Sequence, residues 1–501
     1  MKNHLKYSSL ILVAVTVVLI ITVMMTNVSA APLTAPPATK TPTPGGPTPT
    51  PGGSGTTITV SGTQWGVSSC YIGVNEGSAN FNVADFTNLG INTYRLYGGM
   101  SRWEPVDDGG AYGSPTRAEI KANINTIPWS VWDTIMTTPP SGSDYSWSDV
   151  PPNVWTGNAR TIFQALKDNN IRPVVVLRNR DNNSRPAWYP ANPGTTADWD
   201  EWWEHVVATV YWFNVRNDYR VDDWEIHNEP NAMSQGWGGK YAGYRTLVQQ
   251  TSDAINWVYS TYLPGRTPRI YAPVTTTGSS WANNLITEMP TLFNVEDIHN
   301  YDTDITSYTE QVHGYLNAAG YPNRELWVTE WGDYPQRGSI PYASVSLSVQ
   351  KVVSNLIRSS RPGNDYWNGN HLFSMYDWGT GYSSGLIAFD GTKRPGYYAF
   401  RLGIRALQGC RPTFQSTTNN SNLLAITTRD TGGKIYLLVS NNGTSSLTVD
   451  ANLSALITSG TGTQYQFDAT HNDVVVGNPV LSSGHVTFTI PGTAAVLITF
   501  P

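Results

Sequence analysis

The chain has 501 residues, a formal net charge of −6, and charged side chains at only 14% of positions. That length is more than one hydrophobic core sustains, so at least two domains are expected. No block of Lys or Arg stands out, which excludes nucleic acid as a partner, since binding it requires a basic face.

The first thirty residues carry Lys2 and Lys6, then an apolar run over 10–25, then Val28-Ser29-Ala30 as a small-residue cleavage site. Residues 1–30 read as a secretory signal peptide. The apolar run is long for such a signal and short for a spanning helix, so an uncleaved membrane anchor is the alternative. Residues 31–57, including TPTPGGPTPTPGGSG, hold almost nothing apolar to bury and read as a disordered Pro/Thr/Gly spacer. Either way the globular part is expected to work outside the cytoplasm.

From there strand and helix signals alternate. Strands are expected at 71–76, 92–97, 172–178, 223–228, 269–275, 295–301, 326–330 and 371–376. Helical patterns lie between them at 157–169, 197–216, 241–262, 279–293, 306–319 and 343–359, and 395–407 closes the series. Eight such units predict a (β/α)8 TIM barrel over 58–410. The competitor is a doubly wound open sheet, which usually carries a Gly-rich phosphate turn, and none is present.

All 19 Trp fall between Trp65 and Trp378. Their flat apolar faces and polar edges suit sugar rings, although part of them is expected simply to fill a large core. The interval 98–155 holds Trp103, Trp129, Trp132, Trp147 and Trp155 and is too long for an ordinary βα loop. It reads as a wall of a substrate cleft, or else as a cap over the barrel rim.

Two stretches carry the chemistry. Residues 221–231, VDDWEIHNEPN, form a short strand stopped by Pro230. Alternation puts Trp224, Ile226 and Asn228 on one face and Glu225, His227 and Glu229 on the other. Glu229 is thus the last side chain of its face, with Glu225 and His227 as a deeper layer. Residues 325–334, ELWVTEWGDY, again end an apolar strand in a carboxylate, Glu330, 101 positions later. Carboxyl ends of barrel strands are where ligands are met, and two carboxylates there suit acid/base work on an acetal. On the second strand Arg95 shares a face with Thr93 and Tyr97, and a buried arginine requires a carboxylate partner, Glu225 being one candidate. On the sixth, Asp297, His299 and Tyr301 share a face. Arg178 and Asn179, ending the third strand, are candidate substrate contacts.

Cys70 precedes the first strand and Cys410 follows the last helix. In a closed barrel both lie on the amino-terminal face, so a clasping disulfide is expected, with two buried thiols as the alternative. Beyond Cys410, over 411–501, β-rich runs such as KIYLLVSNN and AAVLITF recur between NG, GG and SSG turns. They predict a C-terminal β-sandwich of about eight strands. Lacking Trp, it reads as a packing domain rather than a sugar-binding module.

With HNEPN ending the fourth strand and VTEWG the seventh, residues 64–408 resemble a clan A retaining glycoside hydrolase. The pattern is most similar to family 39, with families 5 and 30 as relatives. The resemblance implies Glu229 as general acid/base, Glu330 as nucleophile, and Asn228 on the sugar 2-hydroxyl. It further implies Arg95 beside Glu330, His299 and Tyr301 touching the nucleophile and sugar, and Trp378 as the platform under the reacting sugar. Core packing for His299 and rim packing for Trp378 are the bland alternatives. The partner expected is a carbohydrate, with a membrane only if the leader stays uncleaved. No metal site and no cofactor are expected, because the eight His are scattered and no HExxH occurs. A non-hydrolytic surface sugar-binding protein is the alternative function.

Overall fold

A computed structural model describes residues 55–77, 81–104, 107, 112–137, 158–179, 185–186, 188–301, 304–333, 340–360, 366–377 and 383–501. The leader, nearly all of the spacer, Trp147, Trp155 and Trp378 lie outside the described residues. No helix among the described residues is long and apolar enough to cross a membrane.

Eight parallel strands close into a barrel: Tyr71–Asn75, Thr93–Tyr97, Arg172–Leu177, Asp223–Ile226, Arg269–Thr275, Val295–Asn300, Glu325–Trp331 and Trp367–Leu372. They are counted one to eight below. The first pairs with the eighth through Gly73 and His371, which removes both sheet edges. Runs such as Val174-Val175-Val176-Leu177 are buried throughout, as a strand covered on both faces requires. The helices are set by local signals. In Ala159–Asp168, for example, Asn158 and Thr161 form a reciprocal cap, and Ile162, Phe163 and Leu166 bury one stripe. Losing that cap would cost about 1 kcal/mol.

Seven strands lie close to their expected positions, and the eighth differs. It is Trp367–Leu372, not 371–376. Asn and Gly within WNGNHL hide the strand pattern, and pairing decides it. Gly369 is required there because the Trp327 ring occupies the place of a Cβ, 2.1 Å from where one would sit.

Tryptophan mostly builds the core. Trp132, Trp202, Trp203, Trp212, Trp224, Trp237, Trp327, Trp331 and Trp367 are fully buried. Over 98–155 the described segments form short helices, Met100–Trp103, Arg117–Ala122 and Trp129–Thr137. Trp103 packs on Phe163 and Phe213, and Trp129 stacks on Tyr211. Trp103, Trp129 and Trp132 are thus buried in the core and line no cleft.

The second domain is a nine-stranded sheet. Its order runs Asn472–Gly477, Thr463–Phe467, Ala494–Phe500, Ile435–Asn441, Leu423–Arg429, Pro412–Thr418, Thr56–Val67, Leu447–Asn452, His485–Ile490. One strand therefore comes from before the barrel. Thr56–Val67, assigned by the 31–57 and 58–410 boundaries to spacer and barrel, pairs with Pro412–Thr418 and Leu447–Asn452. Its register slips between Val60 and Gln64, and the sheet folds over an inner core of Ile58, Val60, Phe414, Leu437, Val449, Phe488 and Val496.

Every residue of Ile435–Asn441 is buried, because its second face, Tyr436 and Leu438, joins the barrel's core. Thr428 donates to the Ala406 carbonyl at 2.7 Å, and Arg401 and Arg405 both bind buried Asp473. The sheet is a packing domain fixed to the last barrel helix, Pro395–Leu407. Cys70 and Cys410 form the expected disulfide across a sequence separation of 340. Closing so long a loop stabilises by a few kcal/mol, with about 6 as the ceiling in the chain-entropy account.

Candidate active site

The fourth strand ends at Ile226, and the backbone then turns left-handed at His227 (φ 69°) and again at Glu229 (φ 42°). Neither is glycine, so each position stores strain, on the order of 1–3 kcal/mol. The consequence is geometric. Alternation would put Asn228 and Glu229 on opposite faces, yet both side chains enter the same opening. His227, expected in a deeper hydrogen-bonded layer, has its Nδ1 3.0 Å from the Asn228 carbonyl, and its ring meets the Trp237 ring edge-on at 6.4 Å.

The seventh strand shows a related device. Its register slips against the sixth between Ile298 and His299, and against the eighth between Val328 and Trp331. Consecutive Thr329 and Glu330 therefore both face the barrel interior, which a regular strand forbids.

His299 stands between the two glutamates. Its Nδ1 lies 2.9 Å from Glu229 Oε1 and 3.5 Å from Glu330 Oε2. One carboxylate oxygen from each glutamate and a His299 nitrogen all lie within 4.8 Å of one another. The two acids differ in access, with side-chain exposure of 20% for Glu229 and 6% for Glu330.

Arg95 organises the floor of the site. Its Nε and Nη2 donate to the two oxygens of Glu225, at 2.7 and 2.5 Å. Nη1 donates to Glu330 Oε1 at 2.7 Å and to Asn75 Oδ1 at 2.6 Å, while Nη2 also reaches Asn228 Oδ1 at 2.9 Å. Both candidate partners of Arg95 are thus real: the guanidinium bridges Glu225 and Glu330. Burial opposes its charge, but Glu225, Tyr97 and Glu330 outweigh burial and keep it protonated.

Tyr97 donates to Glu330 Oε1 at 2.7 Å, and Tyr301 to Oε2 at 2.6 Å. Burial pushes the Glu330 carboxyl up; His299, Arg95 and the hydroxyls of Tyr301 and Tyr97 more than reverse this and hold it below the ordinary value. Glu330 is an ionised carboxylate with both oxygens aimed.

Six expected residues, Arg95, Asn228, Glu229, His299, Tyr301 and Glu330, converge here. Trp378 lies outside the described residues. Arg178, partly exposed, sits over the Tyr97 ring at 4.2 Å at the edge of the site, and Asn179 is buried. Tyr97 and Asn75 were missed as site residues. The signal for each was present: Tyr97 shares the Arg95 face, and Asn75 is a polar residue ending the first strand.

Glu229, His299 and Glu330 are also close enough together to surround a metal ion. Both Glu330 oxygens, however, already accept from Tyr97, Arg95 and Tyr301, and His299 is engaged with Glu229. The donor set fits a group that moves protons and attacks carbon rather than a metal cage.

No protein-family model and no curated protein matches the sequence. Solved structures do match, and what they share with this chain is the fold. It is a fold found in glycoside hydrolases of families 30 and 39. A GH30 endoxylanase from Clostridium papyrosolvens C71 aligns at 14% identity with a TM-score of 0.59, covering 88% of this chain and 99% of that one. A glucosidase from Croceicoccus marinus aligns at 13% and 0.63, covering 89% and 98%. A GH39 β-xylosidase from Caulobacter crescentus aligns at 14% and 0.58, covering 89% and 99%.

Proposed function

We propose that the protein is a secreted glycoside hydrolase that cleaves a β-linked polysaccharide or oligosaccharide with retention of anomeric configuration. The observation that carries this is the separation of Glu229 and Glu330, whose nearest oxygens lie within 4.8 Å. Retaining enzymes keep their carboxyls about 5–5.5 Å apart, whereas inversion needs roughly 6.5–9.5 Å to seat a water.

Glu330, ionised and held by three donors, attacks the anomeric carbon, and the glycosidic C–O bond breaks. Glu229 gives its proton to the leaving oxygen, and the sugar is left as an ester of Glu330. Water then enters; Glu229 takes its proton, the oxygen attacks the same carbon, and Glu330 is released. His299 fixes Glu229 beside the scissile bond, and Asn228, already held by Arg95, is placed to meet the sugar. A mere sugar-binding protein has no need of an aimed, ionised carboxylate beside a second acid.

The fold relatives named above include an endoxylanase, a β-xylosidase and a glucosidase, which makes β-xylan and β-glucan the substrates to try first. Proton NMR of the first product formed from a β-xylo- or β-gluco-oligosaccharide should show the β-anomer. An α-anomer would overturn retention, and full activity in Glu330→Ala would overturn the site. Residues 1–30 and the Pro/Thr spacer support export, and N-terminal sequencing of the mature protein should begin at Ala31; a retained Met1 would favour the membrane-anchored form.

A further inference from the structure

Beneath the two glutamates the barrel holds more acid than base. Glu225, Asp297 and Glu330 surround one guanidinium, Arg95, and Arg95, Glu225 and Asp297 have no exposure at all. Three ionised carboxylates around one fully buried guanidinium outnumber it by two, and burying an uncompensated charge costs several kcal/mol per ion. A neutral carboxyl among them relieves that cost, and the hydrogen bonds say which one it is.

Glu330 accepts from Arg95, Tyr97 and Tyr301, and Glu225 accepts from Arg95 on both oxygens. Both need their charge. Asp297 differs: Oδ1 accepts from Thr329 at 2.6 Å, while Oδ2 is buried with no donor among the described residues. What Asp297 does meet is the Glu225 side chain, in hydrogen-bonding contact. Two carboxylates so placed repel unless a proton lies between them.

We propose that Asp297 is held as a neutral carboxylic acid whose hydroxyl donates to Glu225, making it the positioning residue that leaves one edge of Arg95 for Glu330. An ionised Asp297 would draw the guanidinium down and away from the nucleophile. With the proton in place, Glu225 holds the Nε–Nη2 edge and Nη1 stays on Glu330. Besides Glu225 and Arg95, the titratable groups facing this cluster are Tyr244, committed to the Ile226 and Pro273 carbonyls, His371, bonded to Thr93, and His299, whose Nε2 lies 3.5 Å from Arg95 Nη2 while its Nδ1 is held by Glu229. His371 is kept neutral by burial and by Arg95, so neither it nor Tyr244 supplies a competing charge. Burial and Glu225 likewise push Asp297 well above the usual carboxylate range.

The kinetic part of this inference rests on the hydrolase reading; the protonation state does not. The infrared difference spectrum of wild type minus Asp297→Asn at neutral pH should show one protonated-carboxyl C=O band. Asp297→Asn keeps a donor toward Glu225, so kcat/KM should stay within about threefold and its acid limb should not move. Asp297→Ala has no donor; its acid limb should rise by about one pH unit, with KM unchanged. Should that variant fail to fold, Glu225→Gln serves instead, since it removes the carboxylate that accepts the Asp297 proton and should shift the band to higher frequency; an unshifted band would count against the proposal. Absence of the band from the difference spectrum, or equal acid-limb shifts in Asn and Ala, overturns the proposal. A wild type inactive on every glycoside, with the band present, would instead end the hydrolase reading and leave the shared proton standing.

Discussion

The barrel interior contains two charged layers built on opposite principles. At the amino-terminal end, Arg172 and Arg269 meet Asp223 and Glu325, two cations for two anions. Tyr271 donates to Asp223 at 2.6 Å, and Tyr71 and Trp327 lie flat against the guanidiniums at 5.0 Å. Nothing there is left over. At the carboxyl end, one guanidinium serves Glu225 and Glu330, with a third buried acid, Asp297, near it and Glu229 beyond it on His299. The lower layer closes the barrel; the upper one holds a surplus of acid under tension from donors that aim it. The same residue types thus stabilise when matched and act when mismatched.

The largest test removes the aimed acid. Glu330→Ala should lower kcat by on the order of 10⁴-fold or more while the melting temperature changes little, as for loss of a nucleophile. The converse change in the lower layer is Asp223→Ala, which strips two arginines and Tyr271 of their acceptor. It should cost about 3–5 kcal/mol in chemical denaturation yet leave kcat of the folded enzyme unchanged. If Asp223→Ala lowered kcat as strongly as Glu330→Ala, the division between the layers would fail.

Cys410→Ser tests closure without charge: it should cost about 2–4 kcal/mol of stability and no activity. Tyr301→Phe is the finest probe. It removes one hydrogen bond to ionised Glu330, worth about 1.5–3 kcal/mol, so kcat/KM should fall roughly 10- to 100-fold. The pH profile supplies the sign. Glu330 is held below the ordinary carboxyl value, so activity persists above its pKa and is lost as pH falls through it, in a window below 4.5. Deleting the Tyr301 donor should move that limb to higher pH; an unmoved limb would show that Tyr301 does not tune Glu330.

Much of this was legible along the chain. Apolar strands alternating with capped amphipathic helices announce a barrel, because burial on both faces of a parallel strand leaves a continuous run of apolar residues. Glu229 and Glu330 were legible because each closes an apolar stretch at the carboxyl end of a barrel strand, and Arg95 because a charge inside a barrel strand must find a partner. The eighth strand was misplaced, since its Gly369 and Asn residues carry no strand signal and answer to Trp327 instead. The strand Thr56–Val67 was missed as part of the sheet, because its partners, such as Pro412 opposite Val67 and Val449 opposite Thr56, stand hundreds of residues away.

What the sequence by itself determined is local: which segments are strands or helices, where each ends, and which side chains are chemically able to act. Convergence was decided only in three dimensions. Left-handed residues at His227 and Glu229 and a register slip beside Glu330 turned side chains that alternation would have separated toward one opening. The share of Arg95 between Glu225 and Glu330 was decided there as well, because charge balance is a property of a closed space and not of a strand. Alternation follows from the backbone of one residue and its neighbour, whereas burial and electrostatic balance depend on every element that closes around the group.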